Sequence, residues 1–351
     1  MLEIFLFSII TIFSYLGVEW FRRWSLRRNL FDVPNERSSH TTPTPRGGGL
    51  IIVLISLSVY SIYSLTQTGT FVWSYVVGAI LVAGISWLDD LYTISFIWRF
   101  AVHVAAALLV IFSVGYFGDI FILFARQSPV NELGGWLLTF FWIVWLTNAY
   151  NFMDGIDGIA GIQAFSAGIG WLVIGKVFGA DSTGFYGGVI AFTGLGFLIQ
   201  NWQPARIFMG DVGSAFLGYT FAVLPLLFER EMGTIFQNNY QLALGGVFLN
   251  WLFLFDTIYT FMRRLLRKER FWEAHRGHIY QKLVSEGHSH QFIANLYGVI
   301  SGLTIFATVL WLWSPKNWGM FLLLLVGFQS IGILLYLPLK RKRNLKLTGK
   351  I

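Results

Sequence analysis

The segment N148-A-Y-N-F-M-D-G-I-D-G-I-A-G161 sets two asparagines and two aspartates at a spacing of three, directly after the apolar run T139-F-F-W-I-V-W-L-T147. Asparagine offers both a donor and an acceptor, as nucleobase or amide recognition requires. Aspartate offers hard oxygen for a cation such as Mg²⁺. A three-residue step turns a helix about 60° backwards, so Asn148 and Asn151 share a face, whereas Asn148 and Asp157 would lie about 180° apart in an unbroken helix. Gly155 and Gly158 argue against an unbroken helix. The expectation is a helix that ends near Asp154, with Asp157 brought round so that all four polar residues face one pocket. Helix capping by Asp157 would account for only one of the four.

Four further clusters carry chemistry. In S86-W-L-D-D-L-Y92, adjacent Asp89 and Asp90 close an apolar run. Carboxylates there are costly and usually functional; two together suit cation binding, or a base tuned by its neighbour. The alternative is a helix ending in water. In N201-W-Q-P-A-R-I-F-M-G-D-V-G-S214, Asp211 stands between glycines, placed either to cap the next helix or to hold a metal, and Mg²⁺ needs only one or two carboxylates besides phosphate and water. In N35-E-R-S-S-H-T-T-P-T-P-R-G-G-G49, three glycines would let backbone N–H groups approach a ligand beside Arg46. In R263-R-L-L-R-K-E-R-F-W-E-A-H-R-G-H-I-Y-Q-K-L283, His275, Arg276 and His278 could grip phosphate. Two histidines do not make a zinc site. Asp256, about two turns before Arg263, either pairs with an arginine or joins the site.

The elements that must position these residues are membrane spans. Only 12% of the 351 residues are charged, about half the share of a soluble domain. With no cysteine, disulfides and thiolate metal sites are excluded. The apolar N-terminus runs into R22-R-W-S-L-R-R28 without a small-residue cleavage site, so it reads as a retained span. Runs long enough to cross a bilayer occur at about 2–21, 48–65, 71–88, 98–117, 136–152, 158–177, 185–200, 212–228, 241–262, 292–313 and 319–339, the seventh being short. The expected fold is an all-α polytopic membrane protein of about 11 transmembrane helices, one integral-membrane domain over 1–351.

Basic residues set its orientation. With the N-terminus outside and the C-terminus inside, 21 of the 25 Lys and Arg fall on the cytoplasmic side and 4 outside. Cytoplasmic loops then lie at about 22–47, 89–97, 153–157, 201–211 and 263–291, with a basic tail at 340–351. Asp89, Asp90, Asp154, Asp157 and Asp211 all gather on that face, as do His40, His275 and His278. The site is expected to be cytoplasmic. The basic loops are divided by spans, which excludes an ordinary nucleic-acid surface and fits anionic lipid and an anionic substrate.

Together, P43-T-P-R-G-G-G49, L88-D-D90, N148-A-Y-N-F-M-D-G-I-D-G158, F208-M-G-D-V-G-S214 and H275-R-G-H-I-Y-Q281 resemble, in order, the motifs of the polyprenyl-phosphate N-acetylhexosamine-1-phosphate transferase superfamily. That group includes the phospho-MurNAc-pentapeptide translocase and the O-antigen initiating enzymes. The resemblance spans about 30–285. It implies transfer of a HexNAc-1-phosphate from a UDP-HexNAc to undecaprenyl phosphate with release of UMP, in the bacterial inner membrane, with Mg²⁺ (or Mn²⁺) as cofactor and a homodimer as one allowed assembly. Carried over, Asp211 matches the family's magnesium aspartate and Asn151 its helper. Asn201 and Phe208 match the uracil pocket, with Asp157 nearby. Asp89 matches the base facing the lipid phosphate, with Asp90 as partner and Asp154 in the same catalytic group. Asn148 and Arg46 join the substrate contacts, and His275, Arg276 and His278 fall in the sugar and diphosphate loop. H-R-G-H-I-Y-Q replaces the common HIHH, which resembles the O-antigen branch that accepts 6-deoxy-HexNAc sugars and implies a part in lipopolysaccharide synthesis. The translocase's lysine before its glycine loop is absent, leaving His40 or Arg46 to take that contact.

Two other classes compete. An ion-coupled transporter would place its acids near the bilayer midplane. A CDP-alcohol phosphotransferase would need Ala-Arg after its first Asp-Gly, and D154-G-I-D-G-I-A-G161 has no such arginine.

Overall fold

A computed structural model describes residues 1–34, 40–118, 129–233, 240–269, 276–313 and 320–332. Among the described residues the regular structure is helical, apart from a two-residue antiparallel pair, β1 (Phe31–Asp32) with β2 (Thr44–Pro45), in register Phe31 to Pro45. The helices are α1 (Leu2–Arg27), α2 (Gly49–Tyr63, continued by a π-helical turn over Ser64–Thr68), α3 (Trp73–Tyr92), α4 (Phe96–Val114), α5 (Pro129–Met153), α6 (Ile159–Phe178), α7 (Asp181–Asn201), α8 (Asp211–Met232), α9 (Tyr240–Leu249), α10 (Trp251–Leu266), α11 (Ile279–Ser285), α12 (His290–Trp313) and α13 (Met320–Gly332). Among the described residues, nine helices are long and apolar enough to cross a membrane, and α9 with α10 forms a tenth candidate bent by 80°.

Each of the eleven apolar runs coincides with a helix or with that bent pair, though the last run continues beyond the described residues. The short seventh run proves to be a full-length helix. Its glycines dilute the apolar signal, and because most of the helix is buried it needs little lipid-facing side chain. The bend between α9 and α10 falls at Asn250, a break that an uninterrupted apolar pattern does not announce.

The centre of the bundle is α8, buried along almost its whole length, whereas α1 and α4 bury only a minority of their residues. It packs against α5, α3 and α2. Small residues permit these approaches, as is usual between membrane helices. A Cβ on Gly49 would stand 2.3 Å from the Cα of Gly213, so α2 and α8 cross backbone to backbone at their first turns. These first turns, the ends of α3, α5 and α7, and the start of α12 lie at one end of the bundle. That end holds Asp89, Asp90, Asp154, Asp157 and Asp211.

Candidate active site

At the end of α3, Asp89 and Asp90 point to different partners. Asp90 is buried, and its two oxygens accept the backbone N–H groups of Asp211 (3.2 Å) and Val212 (3.1 Å). A carboxylate from one helix thus caps the start of another, where the first N–H groups have no intrahelical acceptor. Arg46 donates to the backbone carbonyl of Asp90. The neighbouring Asp89 accepts the N–H of Ile94 at 2.5 Å, and its other oxygen meets Arg99 Nη1 at 2.5 Å.

Arg99 is the hub. The same Nη1 lies 2.7 Å from Asp211 Oδ2, so carboxylates from α3 and α8 converge on one cationic atom of α4. Asn151 donates its side-chain amide to Asp211 Oδ2 at 3.0 Å and accepts the Ser214 hydroxyl at 2.8 Å. Asp211 is the first residue of α8 and makes no cap of its own; the capping alternative fails there because Asp90 already does that work.

The polar stretch after α5 breaks where its glycines stand. α5 ends at Met153, and α6 starts after Gly158, whose φ of +81° favours glycine. Asp157 does not cap α6. Its Oδ2 accepts Ala205 N–H at 3.1 Å, and its Oδ1 lies 3.4 Å from His290 Nδ1. Asn201 ties the same corner together, accepting Gly158 N–H and donating to the Ile207 carbonyl, both at 2.9 Å. Asp154 and Asp157 line a cavity of about 250 Å³ shared with Arg46, Asp90, Asn201, Phe208 and Asp211. Phe208 meets the ring of His40 edge-on, with centroids 4.8 Å apart.

Burial, then the nearby charges of Asp211 and Asp90, push the Asp154 carboxyl up to about 8. The cause is visible in the charge balance. Asp32, Asp90, Asp154, Asp157 and Asp211 crowd one cavity to which Arg46 contributes the sole Lys or Arg lining side chain among the described residues. Such crowding holds protons or recruits cations.

Several expectations are redrawn. Of the four polar residues expected to face one pocket, only Asp154 and Asp157 line the cavity: Asn151 is turned to Asp211 and Ser214, and Asn148, about 9 Å deeper along the helix than Asp154, donates its amide to the Val144 carbonyl at 2.7 Å. The glycine loop is not an open anion nest. Gly48 and Gly49 give their N–H groups to the carbonyls of Phe208 and Met209 at 3.0 and 2.9 Å, because the close α2–α8 crossing turns these two backbones toward each other. His275 lies outside the described residues. Arg276 is exposed, and His278 turns away from the cavity wall to Asp256, 3.1 Å from Nδ1. Arg99, Ser214, Gln281 and His290 were not singled out in the sequence. For Arg99 the available signal was that it is the one Lys, Arg, Asp or Glu in α4.

The chain matches the family model described as glycosyl transferase family 4 over residues 72–229, the stretch that runs from α3 through α8. It is 31% identical over 325 residues to the probable undecaprenyl-phosphate N-acetylglucosaminyl 1-phosphate transferase of Bacillus subtilis (strain 168), covering 88% of this chain and 86% of that protein. This chain belongs to the polyprenyl-phosphate N-acetylhexosamine-1-phosphate transferase superfamily. Decaprenyl-phosphate N-acetylglucosaminephosphotransferases of Mycobacterium leprae (strain TN) and Mycolicibacterium smegmatis (strain ATCC 700084 / mc(2)155) are 28% and 29% identical to it, covering 89% and 80% of the chain and 84% and 75% of those proteins. Within this transferase, Asp89, Asp90, Asn151, Asp154, Asp157, Asn201, Phe208 and Asp211 all lie inside the matched segment. The remaining cavity wall, with Asp32, His40, Arg46, Gln281 and His290, lies outside it.

No three His, Asp or Glu side chains among the described residues surround a single metal position. The donor set nevertheless fits Mg²⁺. This ion takes one or two carboxylates and completes its shell with phosphate and water, and Asp89 and Asp211 already share one cationic atom.

Proposed function

We propose that the protein transfers a HexNAc-1-phosphate from a UDP-sugar to undecaprenyl phosphate and releases UMP, on the cytoplasmic face of a bacterial inner membrane. Superfamily membership supports the general reaction. The observation that carries its assignment to this site is the convergence of Asp89 and Asp211 on Arg99 Nη1, at 2.5 and 2.7 Å, beside the acidic cavity. Such a constellation is built to hold a cation and the phosphates that come with it. Among the described residues, His40 Nε2 on the cavity wall is buried and has no hydrogen-bond partner, and an incoming phosphate would satisfy it. The split of basic residues between the two faces supports the orientation.

In this reading the nucleophile is an oxygen of the lipid phosphate. Its second pKa is near 6, so it arrives largely ionised and needs little help from a base. The new bond joins that oxygen to the sugar-linked phosphorus of the donor, and the bond that breaks joins this phosphorus to the oxygen that leaves with UMP. Positioning and charge stabilisation dominate such transfers. Asp211 would hold the Mg²⁺, its carboxylate aimed by Asn151, and the bound ion would offset charge on the diphosphate. Asp90 fixes the start of α8 and with it Asp211. Asp89 orients Arg99 toward the lipid phosphate. Asp157, Asn201 and Phe208 form the corner suited to uridine. The H-R-G-H-I-Y-Q loop supports a donor of the 6-deoxy-HexNAc type and use of the product in O-antigen assembly.

The test is transfer of radiolabelled sugar-1-phosphate to undecaprenyl phosphate in membranes, with a panel of donors including UDP-GlcNAc and UDP-6-deoxy-HexNAc sugars. Divalent-cation dependence and stoichiometric UMP are expected. Absence of transfer from every donor, with the protein folded in the membrane, would overturn the reading.

A further inference from the structure

Asp256 has no place in the mechanism above, yet it is among the most completely hydrogen-bonded carboxylates in the molecule. It lies in α10 with 0% exposure. It accepts the backbone N–H groups of Ile279 (2.8 Å) and Tyr280 (3.2 Å) and the hydroxyls of Thr260 and Tyr297 (both 3.2 Å). His278 Nδ1 stands 3.1 Å away. A buried carboxylate is costly, and five donors drawn from three helices and one loop answer it. Most of what they hold is α11 and the loop that leads into it, and Arg263 adds a bond to the Gly277 carbonyl at 3.0 Å.

α11 reaches the site. Tyr280 donates its hydroxyl to the Phe152 carbonyl at 3.0 Å, two residues before Asp154. Gly155 lies so close to that hydroxyl that a Cβ there would stand 2.1 Å from it. The next residue, Gln281, lines the cavity with Asp154. A continuous path therefore runs from Asp256 through the first N–H groups of α11 to Tyr280, and on to the turn that carries Asp154.

We propose that Asp256 is a positioning residue for the transfer reaction: it anchors α11 so that Tyr280 clamps the Asp154 turn and Gln281 closes that side of the cavity. The proposal rests on the reaction assigned above, and its test has an arm that does not need the reaction. The chain has no cysteine, so a single Leu283→Cys substitution, at a position with 0% exposure in α11, reports docking of that helix through its rate of maleimide labelling. Adding Asp256→Asn or Asp256→Ala should speed this labelling about tenfold or more. Labelling of an exposed reference, Ser285→Cys, should stay constant and confirm equal amounts of protein. In transfer assays Asp256→Asn should lower kcat about tenfold, with KM for the lipid phosphate within twofold of the parent, because Asp89 and Arg99 are untouched. Tyr280→Phe breaks only the far link. It should lower kcat without faster labelling, and the double variant Asp256→Asn/Tyr280→Phe should be no worse than Asp256→Asn alone. Unchanged labelling in both Asp256 variants overturns the anchor. Undiminished transfer despite faster labelling, or additive losses in the double variant, overturns the positioning role. If the parent transfers no sugar, the proposed reaction fails while the labelling arm still decides the anchor.

Discussion

Two cavities of about 250 Å³ each sit at opposite ends of the same helices. The one at the ends of α2, α7 and α8 away from the acidic motifs is lined by Tyr60, Tyr63, Phe185, Tyr186, Arg230 and Glu231. Its charges serve the fold. Glu231 accepts the N–H groups of Ser182 and Thr183 at 2.8 Å and the Thr183 hydroxyl at 2.7 Å, which caps α7. Arg230 donates to the Ser113 carbonyl at 3.2 Å. Just behind it, Tyr75 bonds to Tyr186 and Thr220 at 2.5 and 3.0 Å. The acidic cavity is the reverse. Its carboxylates outnumber the cations, one of them shares the Arg99 guanidinium with Asp89 beside the cavity, and another is driven to hold a proton. Equal volume therefore says little about chemistry, whereas charge left unanswered by the fold points to a functional site.

The largest expected effect tests that difference directly. Asp211→Asn should reduce sugar-1-phosphate transfer by about 10²–10³-fold, the usual cost of losing one group that stabilises charge in the transition state. Full activity in membranes with normal protein level would erase the distinction between the cavities. Arg99→Gln should follow, with a loss of about 10–10²-fold. This variant leaves Asp89 and Asp211 facing each other without their shared cation, so Mg²⁺ should raise its thermal midpoint more than it raises the parent's. An equal Mg²⁺ response in both proteins would remove Arg99 from the cation position.

A smaller effect concerns pH. A carboxyl group whose pKa rises on folding keeps its proton in the folded protein while the unfolded chain releases it. Folding is therefore progressively disfavoured as pH climbs from the ordinary carboxylate range towards about 8. In chelator-treated, detergent-solubilised protein, the thermal midpoint should fall between pH 5.5 and 8, and Asp154→Asn should flatten that slope. A slope unchanged by the substitution would assign it to another group. The smallest effect belongs to the far cavity. Glu231→Gln should weaken the α7 cap by about 1 kcal/mol and lower the thermal midpoint slightly, with turnover per folded molecule unchanged. A loss of turnover would show that this end, too, takes part in the reaction.

The contrast also explains what could be seen in the sequence. Spans were legible because lipid demands long apolar runs, and the break after Met153 because Gly155 and Gly158 interrupt one. The acids were legible because a carboxylate beside such a run is conspicuous. Partners were not. Asn148 has the same type and spacing as Asn151, but depth along α5 separates a residue bonded to its own helix from one bonded to Asp211. Gly48 and Gly49 carried a clear signal for close backbone approach, and it was the approach of another helix that they served. Arg99 counted only as one more basic residue on the site's face. His290 and Asp256 depended on where α10, α11 and α12 return, and the 80° bend that brings them back leaves no mark in hydropathy.

The Gly49–Gly213 crossing backs the Gly210–Asp211 side of the acidic cavity with packing that cannot yield. A side chain on Gly49 would meet the Gly213 Cα at 2.3 Å and the Met209 carbonyl at 2.9 Å, so the cavity has no room to grow past Asp211 on that side. Elsewhere the cavity is lined by side chains, Gln281 from α11 and His290 from the first residue of α12. Any change in the size of donor that the enzyme accepts therefore has a direction. Variation in donor size is best sought at the cavity-facing side chains Gln281 and His290, with Asp256 and Tyr280 kept so that α11 stays in place.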